Sequence, residues 1–131
     1  MNKRSMILLM AIFLMLGCQK EKETETAVPT EGILIRIENN SKYTFKDIKV
    51  VIDEEKLYGT LSPREKSNYQ AFSMAYRYAY IELKIRNKLY VLQPIDYFGE
   101  EKLKEGKYTY QLNVEDTSSQ NGRLDLTFKK D

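Results

Sequence analysis

Residues 76–85 read YRYAYIELKI and are the longest strand candidate of the chain. Side chains of a β-strand point alternately to the two faces of a sheet. One face of this segment would consist of Ala79, Ile81, Leu83 and Ile85. The other face would consist of Tyr76, Tyr78, Tyr80, Glu82 and Lys84. Arg86 and Asn87 fit a two-residue turn into a strand over 88–93, so we expect a β-hairpin here.

The same period of two recurs on both sides of this hairpin and is typical of short, half-buried strands. The further predicted strands cover 33–38, 48–53, 57–61, 107–115 and 124–128. In the first of these, Ile33, Ile35 and Ile37 share one face. The inward residues are Tyr108, Tyr110, Leu112 and Val114 in 107–115, and Leu124, Leu126 and Phe128 in the last strand. The sequence between the strands is rich in turn residues, as in 39–41 and the predicted loop 118–122. One helical turn is expected within 98–105. Seven or eight such strands predict an all-β fold, an antiparallel β-sandwich.

The segment 62–75 allows two interpretations. Residues 62–65 read Ser-Pro-Arg-Glu, which fits a capping box with proline at the first helical position. Tyr69, Phe72 and Tyr76 also keep a helical period. However, Ser-Asn at 67–68 is a poor helix interior, and the flanking segments are all strands. The prediction is therefore a loop plus a short strand, with a helix as the alternative.

Residues 103–108 read Leu-Lys-Glu-Gly-Lys-Tyr and carry a fold-specific pattern. The spacing L-x-x-G-x-Y resembles the entry into a late strand of immunoglobulin-like and prealbumin-like sandwiches. The resemblance implies a tyrosine corner, in which the Tyr108 hydroxyl bonds to the backbone upstream. The chain lacks the proline that often precedes this glycine. It also has neither the Trp nor the Cys pair of antibody domains.

The N-terminus has the features of a secretory signal. Lys3 and Arg4 precede an apolar run over 5–16, which ends in Gly17 and the only cysteine, Cys18. The run is shorter than the roughly 20 apolar residues that a spanning helix needs. Gly17-Cys18 resembles the lipobox of bacterial lipoproteins, although Met15 stands where leucine is usual. The resemblance implies that Cys18 is lipidated, becomes the mature N-terminus and attaches the protein to a membrane.

Three segments follow from this interpretation: a signal peptide over 1–17, a lipidated N-terminus and flexible tether over 18–31, and the sandwich domain over 32–131. Residues 19–31 read QKEKETETAVPTE, which is too polar to pack into a core. Their start resembles the lysine-and-acid export tag of surface lipoproteins of Bacteroidota, and a plain hydrophilic spacer is the alternative. The whole mature chain looks like the small sandwich lipoproteins of that group, which implies the cell envelope, in particular the outer membrane, on either its periplasmic or its surface side.

The charge and composition argue against several classes of function. The chain has 21 Lys and Arg against 19 Asp and Glu, and removing the signal peptide takes away two cations and no acid. The balanced charge that remains argues against nucleic acid and against polybasic attachment to lipid. The sequence contains no histidine, so His-based catalysis and His metal sites are excluded. Acylation would also remove the Cys18 thiol.

The remaining candidates for chemistry are two acidic clusters, 53–55 and Asp96 with Glu100 and Glu101. Neither has the ligand spacing of a calcium loop or the paired arrangement of a glycosidase. We interpret both as solvated turns, and the sequence predicts no enzyme activity and no cofactor.

Tyrosine is the one residue type in surplus, since the chain has ten. Tyr76, Tyr78 and Tyr80 would stand about 7 Å apart on one face of their strand. Such rings suit protein partners and sugars alike. The alternative is that they cover the outer sheet or pack against 62–75. The predicted function is a lipid-anchored, non-enzymatic envelope protein that binds a partner or ligand, such as another envelope protein, through exposed strand or loop tyrosines. Carbohydrate binding in glycan capture is the alternative, and a small hydrolase is a distant third.

Overall fold

Alternating apolar residues form eight strands in the part of the chain that the structure, a computed structural model, describes: residues 31–95, 100–115, 117 and 122–131. The predictions for the signal peptide, Cys18, residues 18–30 of the tether, Asp96, Phe98 and 118–121 lie outside these residues. In the described ranges no helix is long and apolar enough to cross a membrane.

The strands form two sheets of four. They are β1 (Ile33–Asn39), β2 (Phe45–Val51), β3 (Glu55–Leu61), β4 (Gln70–Phe72), β5 (Tyr80–Ile85), β6 (Lys88–Leu92), β7 (Gly106–Val114) and β8 (Leu124–Lys130). The first sheet has the order β4-β1-β7-β8, and the second has the order β3-β2-β5-β6. The predicted all-β architecture is confirmed. It needs one correction, because β1 and β7 run parallel while the other pairs are antiparallel.

The core lies between the two sheets and is built from the inward half of each alternation. Ile35, Ile37, Ile48, Ile81 and Leu83 are completely buried there, as the period of two predicts. Leu124 is also buried, and Leu126 and Phe128 pack against the core while partly exposed.

Two predicted segments differ in the structure. The 62–75 segment forms a loop and the short strand β4, so the helical alternative is not adopted. The strand predicted over 76–85 begins only at Tyr80, because residues 73–79 carry the chain from the first sheet across to the second. The helical turn expected within 98–105 does not form in its described part, 100–105.

Local backbone geometry fixes the hairpin and one irregularity. Arg86 and Asn87 have φ values of 50° and 66°, which is the mirror-image turn that matches the twist of paired strands. The predicted two-residue hairpin is therefore confirmed, with Ile85 opposite Lys88. Asp47 has φ of 50° and lies where the register of β2 shifts against both neighbours. This is a β-bulge, and it bends the strand.

Strand direction gives the sandwich two distinct ends. At the near end β1 begins, so any tether preceding residue 32 joins the domain there. At the far end β1 finishes, together with β3, β5 and the parallel strand β7. Seven residues of β1 separate the two ends by about 20 Å.

Candidate functional site

The outer face of the second sheet is the candidate functional site. Its central row runs across all four strands, since Leu57 lies opposite Lys49, Lys49 opposite Glu82, and Glu82 opposite Val91. The adjacent row contains Lys84 opposite Leu89. The neighbouring side chains along these strands point inward to the core.

Exposed aliphatic side chains mark the two borders of this face. Leu57 on β3 is 65% exposed, and Leu89 and Val91 on β6 are 53% and 44% exposed. Of the four large apolar side chains exposed in the described residues, these three share the outer face, and the fourth is Ile95. A single exposed leucine is ordinary, but Leu89 and Val91 are neighbours on the outward face of β6, and Leu57 lies on the same side of the sheet across the charged row.

The centre of the face carries a fixed set of charges. The Lys49 Nζ lies 3.0 Å from Glu55 Oε1 and 2.9 Å from Glu82 Oε1. The Tyr80 hydroxyl donates to Glu82 Oε2 at 2.9 Å. Hydrogen bonds to Glu82 and Glu55 raise the pKa of Lys49, whereas those from Lys49 and Tyr80 lower the pKa of Glu82. Both groups are therefore charged at neutral pH.

A shallow groove of about 340 Å³ crosses the face between its aliphatic borders. Leu57 and Leu89 line its two sides, with Lys49 and Glu82 between them. Gly59 contributes no side chain, and the bulge at Asp47 bends the neighbouring strand. The groove thus combines apolar walls with a charged floor.

Of the three predicted tyrosines, Tyr80 lies on this face. The parity of β5 is confirmed, because Ile81, Leu83 and Ile85 are buried on the opposite side. Tyr76 and Tyr78 precede the strand, so the expected row of three rings on one strand is wrong. All three rings are partly buried. A binding role for these residues stays a prediction.

The surroundings of Tyr76 show why it does not extend the row. Its backbone carbonyl accepts a hydrogen bond from the buried Tyr110 hydroxyl. Its own hydroxyl lies 3.7 Å from the Met74 sulfur. Burial raises the pKa of Tyr110, which remains a neutral donor. Tyr76 is thus part of the segment that connects the two sheets.

The predicted tyrosine corner is present. The Tyr108 hydroxyl donates to the Lys104 carbonyl oxygen at 2.7 Å, and its ring stacks on Phe128 with centroids 5.4 Å apart. Gly106 has φ of 153°, and a Cβ there would lie 3.4 Å from the Tyr108 hydroxyl. Because L side chains rarely adopt this φ, glycine is favoured at position 106, between the corner's two partners. A further tyrosine, Tyr58, ties the sheets together by donating to the Ile35 carbonyl at 2.7 Å.

The acidic cluster 53–55 is used in local contacts. Asp53 accepts a hydrogen bond from Ser73, Glu54 pairs with Lys56 at 3.2 Å, and Glu55 pairs with Lys49. In the described residues no group of three or more acidic, cysteine or histidine side chains is placed to hold a metal ion.

Sequence reasoning missed the aliphatic borders of the outer face. In β6, apolar residues occupy consecutive positions, Leu89, Tyr90, Val91 and Leu92. Such a run does not show which members face outward. In β3, Leu57 and Leu61 share a parity but not a face in the structure, because Gly59 between them has φ of 73° and the register with β2 shifts there.

Comparisons with protein-family models, with curated proteins and with solved structures gave no match to this chain.

Proposed function

We propose that the protein is a lipid-anchored cell-envelope protein whose β-sandwich is a non-enzymatic binding module, and that the outer face of its second sheet binds another envelope protein. The observation that supports this most directly is the set of Leu57, Leu89 and Val91 on one exposed face. Their burial in a complex would remove apolar area from water, at about 25 cal/mol per Å².

The arrangement of charges favours a protein partner. Lys49 is held between two carboxylates, so the centre of the face offers a defined charge pattern instead of mobile side chains. Charge patterns of this kind contribute specificity and register, while aliphatic and aromatic groups supply affinity. Tyr80 adds an amphipathic ring whose hydroxyl is already oriented by Glu82.

The anchor is proposed from Gly17-Cys18 and the apolar run before it. Fatty-acid labelling of cells tests it: the parent chain takes up label, and Cys18→Ser leaves an unlabelled precursor that retains residues 1–17. Equal label on both chains would contradict the anchor. Protease treatment of intact cells then separates a surface location from a periplasmic one in the outer membrane.

The strand order favours the prealbumin-like form of the sandwich over the immunoglobulin-like one. In immunoglobulin constant domains the first two strands belong to one sheet. Here β1 and β2 lie in different sheets, and β1 pairs with β7 in parallel.

The partner face is tested by photo-crosslinking in the cells that produce the protein. A photoreactive residue at position 57 or 89 should yield one discrete adduct with a second envelope protein. The matched control is position 127, where Thr127 is exposed on the outer face of the first sheet. The absence of an adduct at 57 and 89, or an equal adduct at 127, would contradict the assignment of this face.

Carbohydrate capture is the second candidate function. The observation that favours it is a separate polar cleft at the far end of the sandwich, which shares no residue with the outer face.

A further inference from the structure

The far end of the sandwich contains a cleft of about 640 Å³, called here the far-end cleft. Its polar lining includes Asn40, Lys42, Tyr43, Arg64, Asn113 and Thr117. This volume lies within the ~300–1,000 Å³ range of small-ligand sites. The cleft combines amide and hydroxyl groups, one aromatic ring and two cations.

A buried asparagine holds one wall of the cleft in place. Asn39 is fully buried, and its Nδ2 donates to the carbonyl oxygens of Tyr43 at 2.6 Å and Leu61 at 3.1 Å. Its Oδ1 accepts from the backbone N–H and hydroxyl of Ser41 at 2.9 and 2.7 Å. The 40–43 loop is therefore fixed before any ligand arrives, which lowers the entropic cost of binding.

The second wall is attached to the first through an arginine. The Arg64 Nη1 donates to the Asn40 Oδ1 at 2.6 Å and lies 3.3 Å from its carbonyl oxygen. The backbone N–H of Arg64 donates to the Asn39 carbonyl at 2.8 Å. These contacts are to neutral groups, so they position the guanidinium without neutralising its charge.

The cations at the cleft are not held in ion pairs with other described residues. Lys42 and Arg64 in the lining, and Arg86 beside it, form no ion pair there. The Lys42 Nζ lies 5.4 Å and the Arg86 guanidinium 5.9 Å from the Tyr43 ring centroid. A hydrogen bond with Thr117, and then these two cations, lower the pKa of Tyr43.

We propose that the far-end cleft binds an acidic saccharide, with Arg64 and Lys42 facing its carboxylate and the Asn, Thr and Tyr43 groups facing its hydroxyls. A guanidinium matches the geometry of a carboxylate. Mixed donors and acceptors beside an aromatic ring suit a hydroxylated ring. The site opens at the end of the domain opposite to the start of β1.

This inference rests on the second candidate function, carbohydrate capture, and names its ligand class; it does not depend on the partner face, because the cleft shares no residue with that face. The full-length protein in detergent is titrated calorimetrically with digalacturonate at low salt. Galactobiose is the neutral probe of the same size, and inorganic phosphate is the simple anion. We expect digalacturonate to bind at least about tenfold more tightly than either one, since hydrogen bonds to charged groups are the stronger kind.

Two variants locate the site. Lys42→Gln and Arg64→Gln should each weaken digalacturonate binding about tenfold, and Lys42→Gln leaves the Arg64 contacts to Asn40 intact. Arg77→Gln is the control, because Arg77 is exposed on the connection at the near end. Circular dichroism verifies that each variant is folded.

Several outcomes would overturn the proposal. One is the absence of any heat of binding at millimolar digalacturonate. Another is an affinity for galactobiose or phosphate equal to that for digalacturonate. The third is a loss of digalacturonate affinity in Arg77→Gln as large as the loss in Lys42→Gln and Arg64→Gln. None of them affects the crosslinks at positions 57 and 89, so failure here and failure of the partner face are distinguishable.

Discussion

Asn39→Asp changes one atom of a fully buried side chain and should destabilise the domain strongly. The substitution removes the two Nδ2 hydrogen bonds to the Tyr43 and Leu61 carbonyls and keeps the oxygen that accepts from Ser41. Leaving a buried acceptor unsatisfied costs about 1–3 kcal/mol. The Leu61 carbonyl is the buried one, whereas the Tyr43 carbonyl is partly buried and also lies 3.3 Å from the Ser41 hydroxyl. We therefore expect a loss of about 1–3 kcal/mol or more at neutral pH, against the ~5–15 kcal/mol by which a domain is stable.

The loss should depend on pH with a definite sign. Burial and the two facing carbonyls raise the folded-state pKa of the new carboxyl above its unfolded value of about 3.9. Below about pH 4 the group is protonated in both states, and its O–H can donate to one of the carbonyls. As pH rises from there through the folded-state pKa, the stability difference from the parent should grow.

Urea melts of the chain from residue 18, with Cys18→Ser in both proteins, measure this difference at pH 4 and pH 7.5. A loss of about 3 kcal/mol moves the midpoint by roughly 1–3 M urea. Asn113→Asp is the control, because Asn113 is exposed at the same end of the sandwich. An Asn39→Asp penalty that is equal at both pH values, or below about 1 kcal/mol at pH 7.5, would refute the role given to Asn39.

Three further predictions concern stability. Tyr108→Phe keeps the ring stacked on Phe128 and loses only the bond to Lys104, so urea melts should show a loss of about 1 kcal/mol; an unchanged midpoint would contradict the corner's contribution. Arg86→Asn combined with Asn87→Gly should raise the thermal midpoint, because both positions have positive φ, by about 0.5–1 kcal/mol in stability; a lower midpoint would count against the turn. Burial alone would raise the pKa of Asp131, but hydrogen bonds from Tyr69 and Thr109 and the Arg36 charge lower it. The stability it contributes is thus present above about pH 4 and lost as pH falls further, so Asp131→Asn should flatten the acid side of the stability profile; an identical acid side would contradict this.

The strands could be predicted because burial alternates along them, but their partners could not. The period of two in 33–38 and 107–115 identifies two strands and does not reveal that they pair in parallel. The repeat of Tyr76, Tyr78 and Tyr80 extended the predicted strand back to Tyr76, although no strand forms before Tyr80. Burial in the connection does not follow a period of two, because Ala75 and Ala79 are buried while Arg77, which has the same parity, is exposed.

The candidate sites were less accessible to sequence reasoning than the strands. The tyrosine corner could be found because its spacing is local and its glycine is specific. The far-end cleft could not, since it joins Asn40, Tyr43, Arg64 and Asn113 from three separate segments. Asn39 looked like one of several turn residues, and its complete burial depends on the β3 carbonyl of Leu61.

The parallel pairing of β1 with β7 also sets the order in which the chain can fold. Arg36 and Thr109, which bond across this pair, are 73 residues apart, whereas β2–β3 and β5–β6 join neighbours in sequence. Closing a long loop costs entropy before the contacts compensate, and distant pairings slow folding. The second sheet can therefore assemble from residues 45–92 alone. Of the two partners of β1, the antiparallel strand β4 is the nearer in sequence and the parallel strand β7 the more distant, so the pairing of β1 is completed only when Gly106–Val114 joins it.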